Sequence, residues 1–175
     1  ILSRLGVSTI AVGDHSGYMF NPEGFNAHKL QEYVKQNGSI AGYPGGKAIT
    51  REEFFKTKSD IFAPCALENQ IGESEARSLD CKLIVEGANG PTTPAGEKIL
   101  LEKGIDILPD VLANSGGVTV SYYEWVQNKR SESWSEEEVD EKLEKAMKRA
   151  YKEVADFSRT KKVTFRIAAY AVALG

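Results

Sequence analysis

The residues in this chain best suited to chemistry are amides, hydroxyls and one acid set beside glycines. The string Glu86-Gly87-Ala88-Asn89-Gly90-Pro91-Thr92-Thr93-Pro94 follows the apolar run Leu83-Ile84-Val85 and precedes an amphipathic run from Ala95 to Lys103. Glycine at 87 and 90 lets backbone approach a ligand where a Cβ would collide. Asn89, on the turn between them, offers a pair of amide donors and one acceptor. Asn114-Ser115-Gly116-Gly117 opens a second such place, because paired glycines at a helix start leave N–H groups free for an anion. Val118 and Ser121 lie three residues apart and so share a face of that helix. Asp14 ends a β-branched run, where an acid can accept from the hydroxyls of a ribose. Each feature also suits a plain structural role: a well-capped turn at 86–94, a glycine-started helix packing its Val and aromatic residues, and a turn residue at Asp14.

Other chemistries have no foothold. Cys65 and Cys81 lack metal-ligand or redox spacing, and His15 and His28 have no neighbours with which to build a zinc site. No metal is expected. A net charge of −3 leaves no electrostatic footprint for nucleic acid. No apolar run approaches the roughly 20 residues that span a bilayer, so no membrane partner is expected. The cysteine usage points to a reduced, cytoplasmic setting. With 175 residues, 41% hydrophobic and 27% charged, the chain is long enough for one sizeable core.

The elements that must position these residues alternate. Strands are expected over Val7–Val12, Asp60–Ala63, Leu83–Val85 and Ile105–Leu108, with helices from Asn26, from the Thr50-Arg51-Glu52-Glu53 capping box, and from Thr93-Pro94. The strands are apolar almost without interruption, which means burial on both faces in a parallel sheet flanked by helices. The fold class is therefore α/β, a Rossmann-type doubly wound, mostly parallel sheet followed by C-terminal helices. Residues 1–112 form the sheet unit and 113–175 the helical part of one dinucleotide-binding domain. Parallel connections put strand tips along one edge, where Asp14, Cys65-Ala66, Asn89 and Asn114 should converge. A dinucleotide fingerprint places its acid about 20 residues after the glycine turn, and only 13 residues precede Asp14. The first strand and glycine-rich turn are therefore expected upstream of Ile1. Ile1–Leu5 reads as a helix tail closed by Gly6. Ser135-Glu136-Glu137-Glu138 caps a long helix to about Arg159, with one apolar stripe and charges that suit its dipole.

Asp60-Ile61-Phe62-Ala63-Pro64-Cys65-Ala66, Glu86 to Pro94, Asn114 to Trp125 and Arg166-Ile167-Ala168-Ala169-Tyr170 resemble the glutamate dehydrogenase family in order and spacing. The resemblance covers essentially the whole chain, as that family's C-terminal nucleotide-binding domain. Departures are mild: Ser115 stands where many members have Ala, and Tyr123 where most have Phe. The resemblance implies reversible oxidative deamination of L-glutamate to 2-oxoglutarate and ammonia. It places Asp14 near the adenosine ribose, Ala66 and Gln70 along the cofactor cleft, Asn89 near the nicotinamide ribose and Asn114 on the carboxamide. It places Val118 and Ser121 in the substrate pocket, with the serine hydroxyl donating to the side-chain carboxylate. The family's catalytic lysine and aspartate belong to its other domain. An acid at position 14 repels a 2′-phosphate and argues for NAD, although relatives with a similar acid also use NADP. A homo-hexamer is the implied assembly. Two rival readings stand beside this one. A branched-chain or aromatic amino-acid dehydrogenase is disfavoured by Thr92-Thr93-Pro94 and Ser121; the other rival is a non-catalytic nucleotide-binding module.

Overall fold

A computed structural model describes residues 2–175. The helix tail expected at Ile1–Leu5 is a short 3-10 turn over Leu2–Leu5, with Gly6 in the left-handed region at φ 81°; Ile1 lies outside the described residues.

Among the described residues, six strands form two three-stranded sheets. In the first, β1 (Ala11–Asp14), β2 (Gly17–Phe20) and β3 (Lys47–Ile49) run antiparallel in that order. In the second, β4 (Ile61–Phe62), β5 (Leu83–Val85) and β6 (Asp106–Leu108) are parallel with β5 central. The α/β architecture is as expected, but the single parallel run from Val7 to Leu108 is not. The expected strand at Val7–Val12 starts later, at Ala11, and folds back on Gly17–Phe20 through a two-residue turn, so that Asp14 pairs with Gly17. Asp14 makes that turn itself, its Oδ1 accepting from the Ser16 N–H (2.7 Å) and the Ser16 hydroxyl (2.5 Å). A side chain that closes its own turn needs little loop entropy. The local hairpin therefore forms, and sequence alternation gave no warning of it.

Between the strands lie α1 (Ala27–Asn37), α2 (Arg51–Lys56), α3 (Glu73–Ser78) and α4 (Pro94–Glu102). Their ends follow the expected caps. The Asn26 side chain accepts from the Lys29 N–H, Thr50 and Glu53 form a reciprocal box, and Thr93 accepts from the Gly96 N–H with Pro94 in the first turn. After β6 come α5 (Asp110–Ala113), α6 (Gly116–Arg130), α7 (Glu136–Lys161) and α8 (Phe165–Leu174). The Ser135–Glu138 box opens α7. Short α5 was not anticipated, nor were β2, β3 and α3; three to six residues carry too few periods to register.

Each sheet face has its own core. Ile84 of β5 and Ile107 of β6 join Phe55, Ile71, Ala76, Leu79 and Leu100 on the side covered by α2, α3 and α4. Leu108, one residue on from Ile107, points the opposite way and packs with Leu112, Val154, Ala168 and Ala169 from the C-terminal helices. Met19, Phe25, Ile40 and Tyr43 fill a smaller core beside the antiparallel sheet. An aromatic chain joins the two sheets: Tyr18 of β2 lies 4.8 Å from Phe54, and Phe54 is 5.7 Å from Phe62 of β4. No described helix is long and apolar enough to cross a membrane.

Candidate functional site

The loop after β5 is stitched to the loop after β4. The N–H groups of Gly87 and Ala88 both donate to the Pro64 carbonyl (3.0 and 2.9 Å). Further along, Asn69 N–H donates to Gly90 O (2.8 Å) and Ile71 N–H to Pro91 O (2.9 Å). Glycine at 87 suits this close approach, since a Cβ there would lie 2.7 Å from the Cys65 sulfur and push that side chain aside. Gly90 turns the chain at φ 53°. Two parallel strand tips are thereby fused into one rigid ledge, and Asn89 stands on it.

The second wall comes from the junction of α5 and α6. Asn114 closes α5, its N–H donating to Asp110 O (3.0 Å), and its side chain reaches the ledge. Asn114 Nδ2 donates to Asn89 Oδ1 at 2.7 Å and to Gly87 O at 3.4 Å. The pairing consumes the Asn89 acceptor and an Asn114 donor. It leaves the Asn89 amide NH₂ and the Asn114 carbonyl as a donor and an acceptor side by side. Ala66, Leu67, Glu68, Gly87, Ala88, Asn89, Asn114 and Val118 enclose an open cleft of about 750 Å³ at this place. Its lining is mixed, the aliphatic side chains of Ala66, Leu67, Ala88 and Val118 alternating with the two amides, Glu68 and backbone polar groups. No cluster of three or more metal-ligating side chains exists among the described residues. The arrangement can therefore recognise a planar polar group and shelter an apolar ring.

Beneath the ledge is a set of charges whose role the sequence did not announce. Glu86 is fully buried, and Arg166 of α8 clamps it, with Nη2 2.8 Å from Oε2. The same guanidinium meets Glu97 of α4 at 2.7 Å and Asp110 of α5 at 3.1 Å. Arg166 thus ties together α4, α5, α8 and the end of β5. Burial opposes ionisation of Asp110, but the N–H groups of Gly90 and Val111 and the Arg166 guanidinium outweigh it, holding the carboxyl below the usual carboxylate range. A carboxyl depressed in the folded state adds stability that is present above its unfolded value, about pH 3.9, and is lost as pH falls through the lower folded value. The stability difference between wild type and Asp110→Asn, read by urea unfolding across a pH series, should therefore be largest near neutrality and shrink below about pH 4. A difference that does not change with pH would mean that Asp110 is not held ionised by these partners.

Of the seven residues singled out from the sequence, the cleft gathers Ala66, Asn89, Asn114 and Val118. Asp14 sits on the antiparallel sheet, its Oδ2 accepting from the Ile40 N–H at 2.9 Å. Burial works against its charge, yet the bonds from Ser16 and Ile40 keep its carboxyl below the usual range. The expected convergence of Asp14 with the other strand tips has no counterpart in the cleft lining: among the described residues β1 is an edge strand paired with β2 alone, in a sheet separate from β4, β5 and β6. Gln70 also lies outside the lining: its side-chain amide donates to Glu68 O at 3.3 Å, and its backbone carbonyl accepts from Arg51. Ser121 is one turn beyond Val118, with its hydroxyl donating to Gly117 O at 3.2 Å. Sequence reasoning missed Leu67, Glu68 and Ala88 as cleft walls, and Asp110 altogether. Arg166 stood in a motif, but nothing in the sequence linked it to Glu86 eighty positions away.

Comparison with known proteins follows the same lines. The family model described as Glutamate/Leucine/Phenylalanine/Valine dehydrogenase matches residues 1–175. The chain is 45% identical over 174 residues to a glutamate dehydrogenase of Thermotoga maritima, covering 99% of this chain and 42% of that protein. It is 42% identical to an NAD-specific glutamate dehydrogenase of Clostridioides difficile, covering 95% of this chain and 41% of the relative. Among solved structures, the hetero-hexameric glutamate dehydrogenase of Thermus thermophilus in its Leu-bound form superposes with a TM-score of 0.91 at 31% identity, over 98% of this chain and 40% of that one. The glutamate dehydrogenase of Peptoniphilus asaccharolyticus gives 0.79 at 38% identity, over 97% and 39%. The chain thus spans about two fifths of the length of these relatives.

Proposed function

The chain belongs to the glutamate/leucine/phenylalanine/valine dehydrogenase family, and we infer from this and from its cleft that it is the dinucleotide-binding part of an NAD-dependent glutamate dehydrogenase. The observation that carries the reading is the Asn114–Asn89 bond at the cleft, which leaves one donor and one acceptor free beside the aliphatic side chains of Ala66, Ala88 and Val118. That is the complement of a nicotinamide carboxamide and its ribose. The cleft volume, about 750 Å³, is in the range of small-molecule and cofactor sites. The names of NAD-specific relatives from Clostridioides difficile and Peptoniphilus asaccharolyticus support NAD over NADP. When bound, the nicotinamide supplies the hydride acceptor for oxidation of L-glutamate to 2-oxoglutarate and ammonia. The chain's own residues bind and orient. Asn114 and Asn89 hold the nicotinamide end, with Ala66 beside it and Gln70 further along the same loop. Asp14 meets the adenosine ribose, and Val118 and Ser121 line the pocket for the amino acid. The reading includes a cytoplasmic setting, in keeping with the unpaired cysteines Cys65 and Cys81, and a homo-hexamer. Val120, Tyr122 and Trp125 on α6 and Ile167 and Tyr170 on α8 are exposed in this chain, surface of the kind that marks contact sites.

The test is turnover by the intact protein of glutamate against leucine, with NADH binding followed by fluorescence. Preference for glutamate with NAD supports the reading. Preference for leucine assigns the branched-chain activity, and NADH binding without turnover of either leaves a nucleotide-binding module. The glutamate assignment rests on Ser121, because a second carboxylate in a partly desolvated pocket needs donors aimed at it. Replacing Ser121 by Ala should lower kcat/KM for glutamate by roughly ten- to over a hundred-fold, the 1.5–3 kcal/mol of a hydrogen bond to a charged group. NADH affinity should stay as it was. Unchanged glutamate kinetics would make Ser121 a packing residue, held by its bond to Gly117.

A further inference from the structure

Asp110 does not line the cleft, yet it touches both of the segments that carry the paired asparagines. Its Oδ2 accepts from the Gly90 N–H at 2.8 Å, next to Asn89. Its own N–H donates to Glu86 Oε2 at 2.9 Å, at the other end of the same turn. Its carbonyl accepts from the Asn114 N–H at 3.0 Å. The remaining carboxylate oxygen is held by the Val111 N–H at 2.8 Å and by Arg166 Nη1 at 3.1 Å, so the side chain has no freedom of its own. Asp110 is therefore bonded directly to both asparagine-bearing segments, on the side of the turn opposite the bonds from the 64–71 loop. The 2.7 Å bond between Asn89 and Asn114 tolerates little error, since hydrogen bonds weaken steeply with distance and angle. Supporting groups that lock the ligand-contacting residues commonly decide how well those residues bind.

We propose that Asp110 is the positioning residue of this cleft, setting the Asn89–Asn114 amide pair in the geometry that receives the nicotinamide end of the cofactor. The proposal rests on the cofactor reading above. Glu97 provides the control, because it meets the same guanidinium of Arg166 at a similar distance but has no bond to the 86–90 turn or to α5 among those described. Two measurements on the intact protein test it. The first is NADH affinity by fluorescence titration. Asp110→Asn, whose amide turns a donor toward either Gly90 N–H or Arg166, should weaken NADH about tenfold or more, and Glu97→Gln less than about twofold. The second is hydrogen exchange of the Gly90 backbone amide and the Asn114 side-chain amide in the protein without nucleotide. Both should lose protection in Asp110→Asn and keep it in Glu97→Gln. Asp110→Glu retains the charge opposite Arg166 while moving the carboxylate off the Gly90 N–H, and it should behave as Asp110→Asn does in both measurements. Equal losses in the Asp110 and Glu97 variants would reduce Asp110 to a fold-stabilising contact and overturn the proposal. Unchanged protection at Gly90 and Asn114 in a folded Asp110 variant would overturn it as well. If wild type fails to bind NADH, the cofactor reading falls, while the exchange measurement still decides whether Asp110 sets the asparagine pair.

Discussion

Replacing Arg166 by Met should destabilise the protein by about 3–5 kcal/mol, the cost of leaving one member of a buried ion pair without its partner. Glu86 has no solvent exposure, whereas the Arg166 side chain retains 23%. The carboxylate is therefore the member that cannot be rescued by water. Arg166 is its only cationic partner among the described residues, and the one other bond to the carboxylate comes from the Asp110 N–H. Met fills most of the arginine stem's volume, so the loss reports charge and hydrogen bonding more than a cavity. Three carboxylates lose a partner at once, those of Glu86, Glu97 and Asp110, which places the effect toward the upper end of the range. Urea unfolding at neutral pH measures it. A double variant, Arg166→Met with Glu86→Gln, should recover more than half of the loss, because a neutral amide in the buried position has no stranded charge. A single-variant loss below about 1 kcal/mol, the scale of an exposed pair, would show that water reaches Glu86 after all.

Leu100→Ala should cost about 2–5 kcal/mol, the range for truncating a fully buried leucine. Leu100 has no exposed surface and sits in the core formed with Ile71, Ala76, Leu79, Ile84 and Ile107. Collapse around the missing atoms is restrained on two sides. Gly96, one turn earlier on α4, already packs so closely that a Cβ there would lie 2.5 Å from the Ile71 carbonyl. The bridge between Ile71 and Thr92 fixes the loop on which that carbonyl lies. The cavity should persist, and the cost should fall in the upper half of the range. Thermal unfolding reads it as a drop of roughly 5–20 °C for a domain of this size. Leu101, the next residue, is 38% exposed, and Leu101→Ala should change stability by less than about 1 kcal/mol. Comparable losses at both positions would mean that α4 does not dock through the face assigned to it.

What could be read from the residues alone was whatever depends on near neighbours. The helix starts at Asn26, Thr50, Thr93 and Ser135 were legible because a cap is a bond across three residues. The strand–turn–helix unit around Asn89 was legible because continuous hydrophobicity, glycines and a Thr-Pro start follow one another in the chain. The family likeness was legible for a similar reason, since its motifs are contiguous strings. What the sequence pattern did not show was a local hairpin: the carboxylate of Asp14 turns the chain onto Ser16, and β1 pairs antiparallel with β2 along one edge.

Only the tertiary structure could decide the rest. It decided that Asn114 meets Asn89, twenty-five positions away, while Gln70 and Asp14 stay outside that cleft. It decided that the glutamate opening the central motif is buried and needs an arginine from the last helix, eighty positions on. Burial and pairing across such separations depend on how layers stack around the parallel sheet, and no spacing rule encodes that. The chain by itself determined which residues could recognise a ligand; the packing of α5 and α8 beneath the ledge determined which of them face one another.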